Sequence, residues 1–414
     1  MRLGEQEIRL DESFTGDPHP LLRRLRVEHP VRRAVTARGV PVWLVTRYAD
    51  ARALLADSRL SKDHRIAGDL FTKYVTATGG TAGSFTQALA AHMLNSDPPD
   101  HTRLRRLVNK AFTARTVARL RPRIEEITGE LLDAMAGRDT VDLLASFAFP
   151  LPITVICELL GVPGDRHDDF QQWSNVLVSS ATADPVEWAS LAMSEYLAGL
   201  VAAKRAEPTE DLLSDLVHAS DEGDRLSPTE LVSMAFLLLV AGHETTVNLI
   251  GNAVLALLRH PEQLAALRAD PGLMPNAVEE FLRYESPVNI ATLRFTTEPV
   301  PVGEVTIPPG EFVMISLLSA NRDTTRFPGP DRLDVTRQPG GHLAFGHGIH
   351  YCVGAPLARL EAEIALTRLL ARFPDLALAA EPETLRWRDS TLVRGLATLP
   401  VRPGEAAASR GAAP

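Results

Sequence analysis

The sequence predicts a mainly α-helical protein with a small β-rich part. Apolar residues recur at helical spacing through most of the 414 residues. With 45% hydrophobic residues, the chain can bury a large core. Residues 31–48 instead alternate around Arg38 and Gly39, as in a β-hairpin with a tight turn. No internal repeat or long linker interrupts the pattern, so we expect one domain over residues 1–401 and a disordered tail over residues 402–414.

Composition limits the partners. A formal net charge of -9 disfavours binding to nucleic acid or to a membrane surface, because phosphate binding requires clustered basic residues. Two cysteines are too few for a disulfide framework, and the N-terminal residues carry no signal pattern. The longest apolar run is about half the length of a bilayer span. We therefore expect a cytoplasmic monomer with no nucleic-acid and no membrane partner.

Two breaks and one long helix follow the hairpin. Residues 62–92 contain TATGGTAGSFT, which is too flexible for a core element and long for a connector, so we expect a lid loop there. A second break, SATADPVEW at 180–188, separates two helical patterns. The longest helix begins at Ser227, where Ser-Pro-Thr-Glu supplies an N-cap, a first-turn proline and a capping-box glutamate. It continues to about His260, and at 1.5 Å per residue it spans roughly 50 Å.

Polar residues interrupt the apolar middle of this helix. In FLLLVAGHETTVNLIG, residues 236–251, the run His-Glu-Thr-Thr separates two apolar segments. A carboxylate in a buried helix needs a partner or a function. The alternative is a helix kink capped by its own threonines.

Cys352 lies in a glycine-rich loop, HLAFGHGIHYCVGAPLARLEAEIAL. Gly346, Gly348 and Gly354 surround it, and an amphipathic helical pattern begins directly after it. Amide donors and the dipole at a helix N-terminus lower a thiol pKa, so Cys352 is a candidate ligand or nucleophile. The alternative is a small buried hydrophobic residue. We expect Cys157, in the apolar run PLPITVICELLGVP, to be such a core residue.

Two further patterns carry charge. Glu280 and Arg283 in AVEEFLRYESP share a helix face by i, i+3 spacing. The segment DPPDHTRLRRLVNKAF predicts a helix with two polar residues on one face and three basic residues on the opposite face. The first two are His101 and Arg105, and the others are Arg103, Arg106 and Lys110. Alone, each pattern is that of a solvated helix.

In combination, these motifs resemble those of the cytochrome P450 family. FGHGIHYCVG resembles the haem-thiolate loop, AGHETT the oxygen-groove motif and EFLR the E-x-x-R pair, in the family's order and spacing. The resemblance extends to RDSTLVRGL and is closest to soluble actinobacterial members that hydroxylate macrolides and other polyketides. Near relatives of those members act on steroids and on secosteroids such as vitamin D. The implied fold is a triangular helical prism with a small β-rich subdomain, with haem b between the long central helix and the cysteine loop.

The resemblance also implies residue roles. Cys352 would be the iron ligand and Phe345 would pack beside its sulfur. Glu244 and Thr245 would be the acid-alcohol pair that delivers protons to O2, with His243 directed away from the iron and Thr246 in helix packing. The implied haem-binding residues are His101, Arg105, Ala241, Gly242, Arg294, Phe345, Gly346, His350, Cys352 and Gly354. Four of these, His101, Arg105, Arg294 and His350, would hold the propionates, and Ala241 and Gly242 would leave room for O2.

Structural and substrate-binding positions follow from the same resemblance. Glu280, Arg283 and Arg337 would form a buried triad that secures the cysteine loop. The pocket walls would include the 62–92 loop with its Phe71, Tyr74 and Phe85, and residues 174–181 and 391–393. The candidate pocket residues are Leu94, Val288, Asn289, Ile290, Ala291, Thr292, Leu392 and Val393.

The expected activity is hydroxylation or epoxidation of a bulky apolar small molecule, foremost a macrolide or other polyketide. A steroid or vitamin D-type hydroxylase, a non-oxygenase haem protein and a peroxygenase are the alternatives. With no flavin or nicotinamide domain in the chain, the resemblance implies a ferredoxin and a ferredoxin reductase as electron donors. The Arg103, Arg106 and Lys110 face is the candidate dock, and a solvated helix face is the alternative.

Overall fold

The computed structural model describes residues 7–77, 87–110, 112–179, 183–218 and 226–407. The helices are α1 Glu12–Gly16, α2 His19–Glu28, α3 Tyr48–Leu55, α4 His64–Ala77, α5 Gln87–Ala90, α6 Asp100–Asn109, α7 Ala114–Arg119, α8 Arg121–Met135, α9 Pro150–Leu160, α10 His167–Leu177, α11 Ala183–Ala206, α12 Leu212–His218, α13 Pro228–Arg259, α14 Pro261–Ala269, α15 Met274–Tyr284, α16 Leu317–Ala320 and α17 Ala355–Arg372. The strands are β1 Ile8–Leu10, β2 Val31–Thr36, β3 Pro41–Val45, β4 Leu60–Ser61, β5 Val141–Asp142, β6 Arg294–Thr296, β7 Val300–Val302, β8 Val305–Ile307, β9 Phe312–Ile315, β10 Ala377–Leu378 and β11 Pro400–Arg402. Helices dominate these ranges, as the sequence predicts.

The long central helix is confirmed. Helix α13 begins after Ser227, whose side chain accepts from the Glu230 amide at 3.2 Å, while the Glu230 carboxylate accepts from the Ser227 amide at 2.8 Å. It ends at Arg259, one residue before the expected His260. Helices α5, α9, α11 and α17 pack around it, so it forms the centre of the main apolar core. By length and composition this helix could span a membrane, but 83% of its most apolar 18-residue stretch is buried inside the fold, as in a core helix.

The predicted hairpin is also confirmed and belongs to a six-stranded sheet. Strands β2 and β3 pair antiparallel, and Gly39 has a φ of 78° in the turn. The strand order is β1-β2-β3-β9-β6-β4. In the antiparallel pair β4 and β6, Ser61 lies opposite Phe295, so the next positions outward are Lys62 and Arg294. The sheet edge thereby places two basic residues beside each other.

The expected lid loop over residues 62–92 is wrong for its first half. Residues 64–77 form helix α4. Leu70, Phe71 and Tyr74 pack on the apolar cluster beneath the sheet, and Tyr74 donates to the Gly310 carbonyl at 3.2 Å. This i, i+1, i+4 spacing of apolar residues is typical of a helix. The loop prediction followed instead from the glycine-rich TATGGTAGSFT that comes directly after it. Residues 78–86, including Phe85, lie outside the described residues.

Two other boundaries differ from expectation. Helix α11 starts at Ala183, inside the expected 180–188 break, and residues 180–182 lie outside the described residues. Arg402, the first residue of the expected disordered tail, lies in β11. Further along, the Ala407 amide donates to the Arg372 carbonyl at 2.9 Å. The C-terminal segment is therefore attached to the end of α17 up to residue 407, and residues 408–414 lie outside the described residues.

Candidate active site

One turn of the long helix is accessible. Residues 231–257 are buried except for Ala241, Gly242 and Thr245. Thr245 Oγ1 donates to the Ala241 carbonyl at 3.1 Å, and residues four apart lie on the same face of a helix. Ala241 and Thr245 therefore open one face in the middle of an otherwise enclosed helix.

Gly242 has a second reason to lack a side chain. A Cβ at this position would lie 2.8 Å from Ile156 Cγ1 of α9. The glycine therefore allows α9 to pack closely against α13.

The cysteine loop is a closed, glycine-dependent turn. The Cys352 amide donates to the Phe345 carbonyl at 2.9 Å, and Gly346 and Gly348 have φ angles of 74° and 75°. Such angles favour glycine. A Cβ on Gly348 would also lie 2.8 Å from the Leu55 carbonyl oxygen. Helix α17 begins three residues after the cysteine, as the sequence predicts.

The expected lowering of the Cys352 thiol pKa is wrong. The residue is exposed, yet protein atoms surround the thiol closely enough that desolvation raises its pKa. Backbone donors at Gly354 and Ala355 and the charge of Arg105 offset part of this rise. Cys157 is buried, and burial raises its pKa to about 12, which agrees with the expected core role.

A set of basic side chains surrounds His350, and we call it the cation basin. Its members are Lys62, His101, Arg105, Arg294 and His350. The His101 and His350 rings are 4.5 Å apart. Burial, together with the charges of Lys62, Arg294 and Arg105, lowers the pKa of His350 to about 2. The four predicted propionate positions are therefore brought together.

Lys62 is a member that sequence reasoning missed. Its residue is only 3% exposed, and its ammonium contacts Thr292 Oγ1. Burial and the neighbouring Arg294 lower its pKa well below the ordinary lysine value. His92 is also buried next to this lysine, and burial lowers the pKa of His92 to about 3. Because these neighbours lie 30 or more residues away in the chain, no local pattern marked Lys62.

The cation basin fits the carboxylates of a haem. Arg294 and Lys62 are buried, and Asp97 is the acid that offsets their charge. Among the described residues, neither ring nitrogen of His101 has a hydrogen-bond partner although both are buried. Excess buried positive charge and unpaired donors are unfavourable unless an anion neutralises them. Two propionates would supply such an anion.

The acid of the predicted acid-alcohol pair is already bound to a cation. Glu244 Oε2 accepts from Arg388 Nη1 at 2.7 Å. Burial opposes ionisation of Glu244, but His243 and Arg388 outweigh it and lower its pKa to about 2. His243 Nε2 lies 3.7 Å from Glu244 Oε1, too far for a hydrogen bond, so its influence is electrostatic. Arg388 was not among the sequence-predicted site residues.

His243 faces the surrounding helices. Its Nδ1 lies 2.8 Å from the Leu239 carbonyl and its Nε2 lies 3.1 Å from Ser174 Oγ of α10. The ring also packs edge-on against Phe149 at 5.7 Å. Thr246 is buried, in agreement with a packing role. Beside it Glu361 is buried with Oε2 unpartnered among the described residues, and burial raises the pKa of Glu361 to about 8.

The predicted structural triad is brought together. Glu280 and Arg283 are fully buried and form two contacts of 2.7 Å, and Arg337 Nε reaches Glu280 Oε1 at 3.2 Å. Arg283 also donates to the Asn321 and Pro330 carbonyls. Every charge in this triad therefore has an opposite charge or a carbonyl beside it.

A neighbouring ion pair links the triad helix to the cysteine loop. Glu279 accepts from Arg359 of α17 at 2.5 Å and lies 3.0 Å from His342 Nε2. Arg359 lies over the Phe345 ring at 4.5 Å. Sequence reasoning missed Glu279, the residue before Glu280. Of these two adjacent carboxylates, Glu279 is the one in contact with the loop region.

The two expected wall segments of the pocket adjoin. Val288 pairs with Val393 in a β-bridge, and the Asn289 amide donates to the Leu392 carbonyl at 2.9 Å. Five candidates remain partly accessible: Leu94, Val288, Ala291, Thr292 and Leu392. Three others, Asn289, Ile290 and Val393, are buried, and Ile290 belongs to the apolar cluster beneath the sheet. Leu94 packs at the edge of the main core.

The predicted basic face on α6 is altered by one ion pair. Arg103 Nη2 contacts the carboxylate of Glu230, the capping-box residue of the long helix. Arg103 therefore ties α6 to the start of α13 instead of presenting its charge to a partner. The sequence pattern missed this because Glu230 lies 127 residues away.

An accessible turn on the central helix, a glycine-rich cysteine loop and a cation basin together define a haem-thiolate protein. The family model for cytochrome P450 matches residues 189–271 and 272–387. Vitamin D(3) 25-hydroxylase of Pseudonocardia autotrophica is 51% identical, with 97% of each chain covered. The chain belongs to the cytochrome P450 family and is a P450 monooxygenase.

Two solved structures support the fold. The tirandamycin C-bound P450 monooxygenase TamI has a TM-score of 0.90 and 54% identity, covering 95% of this chain and 99% of that one. The cytochrome P450 PksS of the Bacillus subtilis 168 bacillaene polyketide synthase has a TM-score of 0.85 and 42% identity, covering 94% and 97%. The expected P450 fold is thereby confirmed.

Proposed function

We propose that this monooxygenase hydroxylates or epoxidises a bulky apolar small molecule, foremost a macrolide or other polyketide of secondary metabolism. The observation that carries the proposal is the accessible Ala241–Thr245 turn on a helix that is otherwise buried, with Glu244 beside it. A haem b ligated by a thiolate would supply oxygen activation, because thiolate donation favours cleavage of the O–O bond.

The residues of this chain would divide the remaining tasks. Cys352 would ligate the iron, and the cation basin would bind the propionates. The Thr245 hydroxyl donates its hydrogen bond to the Ala241 carbonyl. Its oxygen lone pairs therefore remain available to accept a hydrogen bond from a water in the accessible turn. Glu244 would exchange protons with solvent and pass them towards that water. A haem sensor or an electron carrier needs no such pair.

The substrate class rests on the partly accessible wall and on the relatives. Val288, Ala291 and Leu392 are apolar, and Thr292 adds one hydroxyl. PksS is named for a polyketide synthase and TamI is bound to tirandamycin C. The vitamin D(3) 25-hydroxylase supports the alternative of a secosteroid or steroid hydroxylase.

Electrons would come from a ferredoxin and its reductase, as the resemblance to the actinobacterial members of the family implies. A cytoplasmic location would allow these partners to meet the enzyme. The proposal is tested with NADPH, a surrogate ferredoxin and its reductase, on compounds first selected by the low-spin to high-spin shift of the haem. We expect a product heavier by one oxygen atom for a polyketide, and an H2O2-driven rate below the ferredoxin-driven rate. NADPH consumption without oxygenated product for every binding compound would contradict the proposal.

The acid-alcohol pair is tested by coupling. Thr245→Ala should retain haem, substrate binding and NADPH consumption, but product should fall and H2O2 should rise, because the water loses its hydroxyl partner. Thr246→Ala, next in the chain and buried, is the matched control for packing. A Thr245→Ala enzyme as tightly coupled as the wild type would remove Thr245 from this role.

A further inference from the structure

Arg388 connects three elements at the rim of the site. Its Nη1 donates to Glu244 Oε2 of α13 at 2.7 Å, and its Nη2 donates to Asn175 Oδ1 of α10 at 2.7 Å. Its own amide donates to the Gly395 carbonyl at 2.9 Å. One guanidinium therefore bridges the relay acid, a neighbouring helix and the C-terminal segment.

The segment that carries Arg388 is fixed on both sides of it. Trp387 and Leu396 form a β-bridge, and Ser390 Oγ contacts the Val178 carbonyl at the end of α10. The guanidinium is thus held by its backbone as well as by its two acceptors. Such a bridge is pre-organised, and Arg presents its donors in a rigid fork.

Exposure changes in steps along this bridge. The Glu244 side chain is 5% exposed and the Arg388 side chain 16%, while Asn175 is an exposed residue. The end of the bridge that faces solvent therefore lies on the Arg388 side of the buried carboxylate.

The contact differs from a purely structural ion pair. Glu280 has contacts from two arginines and the Asp334 amide, with none of its surface exposed. Glu244 Oε1, by contrast, has its nearest histidine nitrogen at 3.7 Å, and no arginine in the described part of the chain binds both oxygens of this carboxylate. A single guanidinium bond is sufficient to orient this carboxylate without enclosing it.

We propose that Arg388 is a positioning residue that holds Glu244 for proton exchange with solvent and couples that orientation to the docking of α10 through Asn175. This inference rests on the proposed function of Glu244. Arg388 moves no proton itself, because arginine stays protonated. It fixes the direction of the carboxylate, and its charge controls the ease with which Glu244 takes up a proton.

The first test compares three single variants in ferredoxin-driven turnover. In Arg388→Gln the cation is lost and burial dominates, so Glu244 takes up a proton at higher pH. We expect kcat to fall about tenfold with KM and haem content unchanged, and the rate to acquire a new inflection between pH 5 and 8. Arg388→Lys should restore part of the rate, and Arg386→Gln, an exposed neighbour, should behave as wild type.

A double variant distinguishes the role of Arg388 from the role of Glu244. In a Glu244→Gln background, Arg388→Gln should have no further effect on rate or pH profile. If Glu244→Gln is slow while Arg388→Gln keeps the wild-type rate and profile, the role of Arg388 is overturned and that of Glu244 stands. Equal effects of Arg388→Gln with and without Glu244 would also overturn it. If Glu244→Gln is as active as the wild type, the proposed function of Glu244 fails, and the role of Arg388 fails with it.

Discussion

The triad at Glu280 and the cation basin at His350 both bury arginine, but with opposite balances of charge. In the triad, Arg283 has a carboxylate at 2.7 Å and carbonyls at its remaining donors. In the basin, Lys62 and Arg294 are buried beside one acid, Asp97, and the ring nitrogens of His101 have no hydrogen-bond partner among the described residues. The charges of a neutralised cluster are balanced without a ligand, whereas a buried excess of one charge indicates a ligand of the opposite charge.

The largest expected effect comes from breaking the triad. Arg283→Met removes the bidentate cation from the buried Glu280 and leaves only Arg337 Nε, at 3.2 Å, as its charged partner, which costs about 3–5 kcal/mol of unfolding free energy. We expect the variant to lose haem incorporation together with stability. Arg332→Met is the control, since its pair with Asp334 is exposed and contributes at most about 1 kcal/mol. Urea unfolding of both apoproteins measures this, and equal losses would contradict the assignment of the triad.

The basin should respond in the opposite way. Lys62→Met removes a buried charge that exceeds the available acid, so the unfolding free energy of the apoprotein should stay within about 1 kcal/mol of the wild-type value or rise. Haem should leave the variant about tenfold faster, because a propionate loses a cation worth on the order of 1.4 kcal/mol. Transfer of haem to excess apomyoglobin gives the rate. A loss of apoprotein stability as large as that of Arg283→Met would make Lys62 a structural residue.

A third comparison separates the two regions by the pH dependence of their stability. His92, beside Lys62, has its pKa lowered to about 3, and Glu279, beside the triad, has its pKa lowered to about 2. In both groups the unfolded chain binds protons first, so stability is lost as pH falls. The loss begins near pH 6.5 for His92 and near pH 4.5 for Glu279.

The measurement is the unfolding free energy of the apoprotein at pH 7 and pH 5. Wild type should lose up to about 2 kcal/mol through His92, and His92→Gln should lose correspondingly less. Glu279→Gln should not change the difference between these two pH values. An unchanged difference in His92→Gln would show that this histidine is protonated in the folded state.

Local signals explain which parts of the structure the sequence predicted. The long helix carries its own N-cap and capping box at Ser227 and Glu230, and the hairpin carries its own glycine turn, so both were predicted. The helix at 64–77 was missed because the glycine-rich segment after it dominated the interpretation.

Long-range contacts explain most of what was missed. Lys62 meets Thr292 through the pairing of β4 with β6, and Arg388 meets Glu244 across 144 residues. No local pattern indicates such partners. The site residues that were predicted belong to motifs with fixed spacing, whereas Lys62 and Arg388 owe their positions to the tertiary fold.

We propose that Cys352 ligates a haem whose carboxylates the cation basin binds. The most direct test of this proposal is the absorption spectrum of the reduced, CO-bound protein for wild type and Cys352→Ser. Wild type should give the red-shifted Soret band of a thiolate-ligated haem. Cys352→Ser should lose that band yet retain measurable haem, since the basin is unchanged. A Cys352→Ser protein that keeps the red-shifted band would contradict the account.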